Sequence, residues 1–158
     1  MSVDSYFLIK TIHIVSSTIL FGTGMGIAFF HFAGQRAPDF NAKLFAARTT
    51  VHADFIFTLP AVIIQPLSGA WLIWHVGFDW FDYWLVCTYV LYTIAGACWI
   101  PVVLIQIKIR QLLEQRMAGA EFDQRVYDRL CRWWFALGWP AFGGLILVFF
   151  LMVAKPSW

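Results

Sequence analysis

Four long apolar segments limit this chain to a membrane-spanning fold. They lie at roughly residues 6–32, 45–74, 83–107 and 133–153. A helix needs about 20 apolar residues to cross the hydrocarbon core of a bilayer, and each segment exceeds that length. Only 13% of the residues are charged, about half the share that is usual in a soluble domain. We therefore predict an all-α integral membrane four-helix bundle that forms a single domain over residues 1–158.

The basic residues are concentrated in the first and third connections between these segments. Nine of the eleven lysines and arginines lie in or beside these two connections, whereas the charged residues of the second are Asp79 and Asp82. Basic residues in short loops mark the cytoplasmic side. We therefore predict that both termini face the outer, periplasmic side of a bacterial inner membrane. The first apolar segment has no basic leader or small-residue cleavage site, so we expect it to remain as a permanent helix.

The second segment contains polar residues that its apolar character does not explain. In HADFIFTLPAVIIQPLSG, Thr58 and Gln65 lie about 40° and 20° from Asp54 around a regular helix. The same count adds Ser68 and His75 to this face and places His52 about 160° away. Because a polar stripe is costly against lipid, we predict that it faces the bundle interior.

The third segment adds a second set of residues with the same helical spacing. Tyr92, Trp99 and Gln106 are seven residues apart and share one face. We predict a polar interior that contains the residues of both segments, namely Asp54, Thr58, Gln65 and Gln106.

The first segment contains two histidines on one face of its helix. His13 and His31 are 18 residues apart, which is five full turns. Gly24 lies between them on that face, where a glycine serves either close helix packing or the approach of a flat cofactor. A histidine inside a membrane needs a partner such as a metal, a carboxylate or a carbonyl. We therefore consider His13 the leading candidate for a ligand.

These residues suggest three functions. The first is a b-type haem or porphyrin-binding redox protein, in which His13 is an axial ligand and His75 is the candidate second ligand. Gly24 and Trp99 would help to house the macrocycle, and His31 with His52 is a further cofactor-binding candidate. The second function is a non-catalytic accessory or structural subunit of a larger membrane complex. The third is transport of a proton, a metal ion or a small solute, with Asp54 as the titrating group.

The expected partners differ between these hypotheses. The lipid bilayer is common to all three, and the net charge of +2 gives no indication of nucleic-acid binding. A redox role implies a quinone, a porphyrin or a larger respiratory complex, and a homo-oligomer is compatible with each hypothesis. If the chain is an enzyme, we expect an oxidoreductase, but the sequence identifies no catalytic residue.

Several motifs resemble a bacterial family of predicted four-helix integral membrane proteins of unknown function. They are LIKTIHIVSSTILFGTGMGIAFF, ADFIFTLPAVIIQPLSG, YTIAGACWIPVVLIQIKIR and RWWFALGWPAFGG with the later LMVAKP. This resemblance covers nearly the whole chain and implies four helices in the inner membrane. More distantly, an early histidine followed by a glycine-bearing apolar run is similar to HemJ-type protoporphyrinogen oxidases and CopD-like membrane proteins. The HemJ resemblance implies haem binding at His13, although no lysine in a later helix here matches the one these enzymes need.

Overall fold

The computed structural model of the chain describes residues 3–156 and has the predicted all-helical architecture. Its helices are α1 (Val3–Arg36), α2 (Phe40–Ala53), α3 (Leu59–Val76), α4 (Tyr83–Met117) and α5 (Gln124–Ala154). A π-helical turn, Asp54–Thr58, joins α2 to α3 without a break, so these three elements form one span. The described residues thus contain four helices that are long and apolar enough to cross a membrane, in agreement with the prediction.

The helices extend beyond the apolar segments from which they were predicted. α1 has 34 residues and α4 has 35, which is longer than the hydrocarbon thickness requires. The extensions of α4 and α5 are rich in arginine, glutamine and glutamate, which favour helix as much as many apolar residues do. The apolar boundary therefore marks the expected edge of the lipid and not the end of the helix.

Local capping interactions determine where α2 and α5 begin. The Asp39 carboxylate accepts a hydrogen bond from the backbone N–H of Ala42 at 3.3 Å. The Asp123 carboxylate accepts hydrogen bonds from the N–H groups of Arg125 and Val126, at 2.9 and 3.1 Å. Such side chains satisfy N–H groups that the first turn of a helix leaves free.

The two ends of the bundle differ in chemistry. We call the end with the α1–α2 and α4–α5 connections the basic end, and the opposite end the terminal end. At the basic end, α2, α4 and α5 enclose a cluster of buried residues that includes Leu44, Ile109 and Leu113. Beside this cluster, Arg48 Nε lies 2.9 Å from Glu114 Oε1, so an ion pair also joins α2 to α4. Packing holds α2, α4 and α5 together at the basic end, and the exposed ion pair adds a weaker contact between α2 and α4.

The prolines of the second span change its backbone hydrogen bonding in two places. Pro60 lies in the first turn of α3, directly after the π-helical turn. Pro66 lies inside α3 and has no N–H to donate to the carbonyl of Val62 one turn earlier. The hydroxyl of Tyr92, from α4, donates to that carbonyl at 2.8 Å. The free carbonyl created by Pro66 therefore becomes a point of attachment between the second and third spans.

Candidate functional site

A central cavity of about 310 Å³ lies between the helices and is lined by residues from all four spans. Most of its wall is apolar. The exceptions are polar side chains of the second span, of α4 and of α5, which contribute Asp54, Thr58, Tyr92, Trp99, Gln106 and Trp134. Gly24 from α1 and Gly96 from α4 also line it. Its volume is at the lower end of the range of small-molecule sites, and an apolar wall with a few polar groups is typical of them.

Asp54 is the one charged residue of the described chain that lines this cavity. It is 3% exposed, and its Oδ1 accepts a hydrogen bond from Trp99 Nε1–H at 3.3 Å. Thr58 and Gln106 lie close to the same carboxyl group. However, Asp54 Oδ2, the Thr58 hydroxyl and both amide atoms of Gln106 lack hydrogen-bond partners among the described residues. The wall of the cavity therefore contains a carboxyl oxygen, a hydroxyl and an amide that make no hydrogen bond within the described chain, and each of these atoms is itself buried among its neighbours.

The π-helical turn places Asp54 and Thr58 in this position. The N–H of Leu59 bonds to the carbonyl of Asp54, five residues back, so the turn holds one more residue than an α-helical turn. One extra residue shifts the rotational register of everything after it by about 100°. The polar stripe that was predicted for a regular helix is consequently divided. Asp54 and Thr58 line the cavity, whereas Gln65 and Ser68 contact α1.

Gln65 and Ser68 form a second polar group with α1, which we call the α1–α3 polar clasp (His13, Ser16, Gln65 and Ser68). Gln65 Nε2 donates to the backbone carbonyl of His13 at 2.7 Å and to Ser16 Oγ at 2.5 Å. Ser16 Oγ also donates to the His13 carbonyl at 3.1 Å. These bonds join Gln65 and Ser16 to the backbone of α1, so Gln65 belongs to a helix contact and not to the surroundings of Asp54.

His13 is oriented by Ser68 within this clasp. Its Nδ1 lies 2.8 Å from Ser68 Oγ, which in turn lies 2.6 Å from the carbonyl of Ile64. Because a carbonyl can only accept, we assign the single hydroxyl proton of Ser68 to Ile64 and the Nδ1 proton to His13. Nε2 then carries the lone pair. Gly69 makes room for the ring, since a Cβ there would lie 3.3 Å from His13 Cε1.

The structure does not bring His13 and His75 together as an axial pair. His13 contacts Ser68, whereas His75 lies seven residues further along α3, a rise of about 10 Å. The ring of His75 stacks on Trp71 and Tyr6, with centroid distances of 4.6 and 5.8 Å. The two rings are therefore not arranged as the axial pair that the sequence predicts, because two ligands of one iron must face each other across the metal at almost the same level.

His31 and His52 are also separated from each other. His31 is 2% exposed and packs on Trp134 with ring centroids 4.4 Å apart, whereas His52 is exposed on the outside of α2. Neither of them, nor His13 or His75, is among the residues that line the central cavity. Of the cofactor-binding candidates, Gly24 and Trp99 do line the cavity. Gly24 packs closely against Phe142, because a Cβ added at Gly24 would lie 3.1 Å from Phe142 Cζ.

Sequence reasoning missed two features of this site. One is the hydrogen bond from Tyr92 to Val62, which Pro66 signals because it frees a carbonyl four residues earlier. The other is Trp134, which is 5% exposed and lines the cavity. No feature of the local sequence distinguishes it from its exposed neighbour Trp133.

The fold and the site together define a four-span integral membrane protein with a small cavity at the centre of its helix bundle. The chain belongs to the DUF2269 family, described as a predicted integral membrane protein, and the match extends over residues 7–156. No significant match was found among curated proteins or among solved structures.

Proposed function

We propose that the protein binds a small, mostly apolar molecule in the central cavity and holds the polar group of that molecule at Asp54 and Gln106. The observation that carries this proposal is the combination of an apolar cavity of about 310 Å³ with buried polar atoms that have no partner in the described chain. A buried carboxyl oxygen or amide without a partner costs about 1–3 kcal/mol, and a ligand with a matching polar group removes that cost.

The lining of the cavity supports a route of entry from the bilayer. Met25 of α1 and Trp139 of α5 line the cavity and are 52% and 78% exposed. In a chain that spans a membrane, exposure at this level of the helices means contact with lipid. A lipophilic molecule dissolved in the bilayer therefore has access between α1 and α5, with its polar group directed towards Asp54.

The test uses two glycine substitutions in the same helix. Gly138 lines the cavity and Gly143 does not. At either position, an added Cβ would meet no other atom within 4 Å. Gly138→Leu therefore fills the cavity, whereas Gly143→Leu places the same side chain against lipid. The wild type and both variants are purified in mild detergent, extracted with organic solvent, and analysed by mass spectrometry for retained molecules.

We expect the wild type and Gly143→Leu to retain one lipophilic molecule in near-stoichiometric amount. Gly138→Leu should retain at least about tenfold less of this molecule. Overpacking costs about 1–3 kcal/mol, and about 1.4 kcal/mol corresponds to a tenfold change in affinity. Equal retention by the two variants, or no molecule above the level of ordinary bilayer lipids, would contradict the proposal. In the second case, the hypothesis of an accessory subunit becomes the better explanation of the fold.

A haem bound by His13 alone is a second candidate function, and the hydrogen bond from His13 to Ser68 favours it. Haem-ligating histidines commonly donate their other ring nitrogen to a neighbouring acceptor, which fixes the tautomer. Here Ser68 has that role and Nε2 is left to ligate. The central cavity itself does not fit a haem ligated by this protein, because no histidine lines it. A haem at His13 would supply one-electron redox chemistry from outside that cavity.

Absorption spectroscopy separates this candidate from the first one. If haem binds, the purified protein should show a Soret band that His13→Ala abolishes and that His52→Ala leaves unchanged, because His52 points away from the bundle. His75→Ala should also leave the band unchanged, since His75 lies about 10 Å further along the helix. A wild-type protein without a Soret band excludes haem and leaves His13 as a residue of the polar clasp.

A further inference from the structure

The buried polar side-chain atoms that lack partners are not spread evenly through the bundle. All of those found in the described chain lie between the basic end and the level of the central cavity. In three helices they belong to residues four positions apart, so they follow one face turn by turn. These pairs are His31 and Gln35 in α1, Thr50 and Asp54 in the second span, and Gln106 and Arg110 in α4.

The pairs lead from the cavity towards the basic end. Residues four positions apart are about 6 Å apart along a helix. Gln106 lines the cavity, and Arg110 lies one turn closer to the basic end, where its Nε is 4.0 Å from Glu114 Oε2. His31 lies against Trp134, which also lines the cavity, and Gln35 is one residue before the end of α1. The atoms without hydrogen bonds therefore occupy successive levels between Asp54 and the basic surface, and the Arg110 Nε among them is ion-paired with Glu114.

The terminal half of the bundle contains polar side chains as well, but they have partners. Gln65, Ser68 and His13 bond to one another or to backbone carbonyls in the polar clasp. Thr88 donates to the carbonyl of Trp84 at 2.7 Å, and Tyr92 donates to Val62. These bonds leave no comparable series of free polar atoms between the cavity and the terminal end in the described residues.

We infer that a hydrated path connects Asp54 with water at the basic end and is closed towards the terminal end. Buried polar groups without a protein partner are normally satisfied by ordered water, and such water needs two to four polar neighbours. Through a chain of such waters, a hydronium ion at the basic surface gives its proton to the Asp54 carboxylate, and the reverse step returns it. The positive-inside rule assigns this end to the cytoplasm.

The groups that face Asp54 are compatible with this role. α4 presents Trp99 and Gln106, α5 presents Trp134, and α1 contributes apolar side chains. The other titratable side chain in the described lining is Tyr92, whose hydroxyl donates to the Val62 carbonyl, so no second carboxyl group and no base of this lining competes for the proton. The path does not depend on what occupies the cavity. If the proposed ligand binds, the path specifies the side of the membrane from which its polar group exchanges protons.

The experiment measures hydrogen–deuterium exchange of the Asp54 carboxyl group in lipid bilayers. At acidic pH the protonated carboxyl has a C=O stretching band in the infrared, which is identified by its loss in Asp54→Asn. After transfer to D₂O, the shift of this band gives the exchange rate. We expect fast exchange in the wild type and a rate lower by at least about tenfold in Thr50→Leu, because an apolar side chain there removes the neighbours that hold water.

Matched variants separate a blocked path from general damage. Thr49→Leu makes the same change at the exposed neighbour of Thr50, and Thr88→Leu makes it in the terminal half. Both should exchange at the wild-type rate. His31→Phe keeps a ring beside Trp134 but removes the free nitrogen, and it should slow exchange if Thr50→Leu does not fold. His75→Phe is its control in the terminal half and should have no effect.

Three results would overturn the inference. The first is an exchange rate in Thr50→Leu and His31→Phe equal to that of the wild type. The second is slowing by Thr88→Leu or His75→Phe instead, which would place the access at the terminal end. The third is slow exchange in the wild type itself. The cavity-filling variant Gly138→Leu changes none of the path residues, so a failure of the ligand proposal leaves this result readable.

Discussion

Replacing Gln65 by leucine should destabilise the bundle through the α1–α3 polar clasp. Its Nε2 makes two hydrogen bonds to α1, to the His13 carbonyl and to Ser16 Oγ. Side-chain hydrogen bonds between transmembrane helices contribute about 0.6 kcal/mol on average and up to about 1.7. Two such bonds therefore give a loss of about 1–3 kcal/mol. The lower part of that range is expected, because Ser16 still donates to the His13 carbonyl after the change.

Reversible unfolding in mixed micelles of detergent and SDS, followed by tryptophan fluorescence, measures this loss. Gln106→Leu is the matched control: it makes the same chemical change at a residue that is 1% exposed but has no hydrogen-bond partner in the described chain. It should remain within about 0.5 kcal/mol of the wild type, since no hydrogen bond within the protein is lost. A cost for Gln106→Leu equal to or greater than that of Gln65→Leu would refute the assignment of the clasp.

Three further experiments test other parts of the structure. Asp54→Asn keeps an acceptor for Trp99 Nε1–H and should lower the free energy of unfolding by less than about 1 kcal/mol. Asp54→Leu leaves that donor unpartnered and should lower it by about 1–3 kcal/mol in the same titration. Equal losses in the two variants would exclude the hydrogen bond. Gly34→Leu would collide with Ala46 where α1 approaches α2, so it should lower stability by more than about 1 kcal/mol, while Gly26→Leu, whose Cβ meets no atom, should not. A reporter that is active only in the cytoplasm should work in the α4–α5 connection and fail at the C-terminus, and the opposite result would reverse the predicted topology.

The cavity and the proposed path give different roles to polar residues that the sequence places in one group. Residues of the polar clasp have their hydrogen bonds satisfied and contribute to the association of helices. Residues around Asp54 have free polar atoms, which in native structures call for a ligand, an ion or water. This distinction determines which substitutions should affect stability and which should affect binding or proton exchange.

The amino-acid sequence is sufficient to identify a membrane protein with four spans. This follows from composition alone, because the transfer of an apolar side chain into lipid depends on that residue and hardly on its partners. The position of the charged residues in the connections likewise predicts an orientation. Asp54, Thr58 and Gln106, which the same local reasoning predicts in the interior, are each less than 5% exposed.

Which polar residues meet depends on the packing of the helices against one another. A single π-helical turn before Pro60 shifts the register of α3, so Gln65 faces α1 while Asp54 faces the cavity and α4. His13 and His75 belong to spans that pack together, but they lie at different heights along the bundle and have different neighbours. Such relations depend on backbone hydrogen bonding and on the packing of four helices at once, and a count of 100° per residue along one helix contains neither.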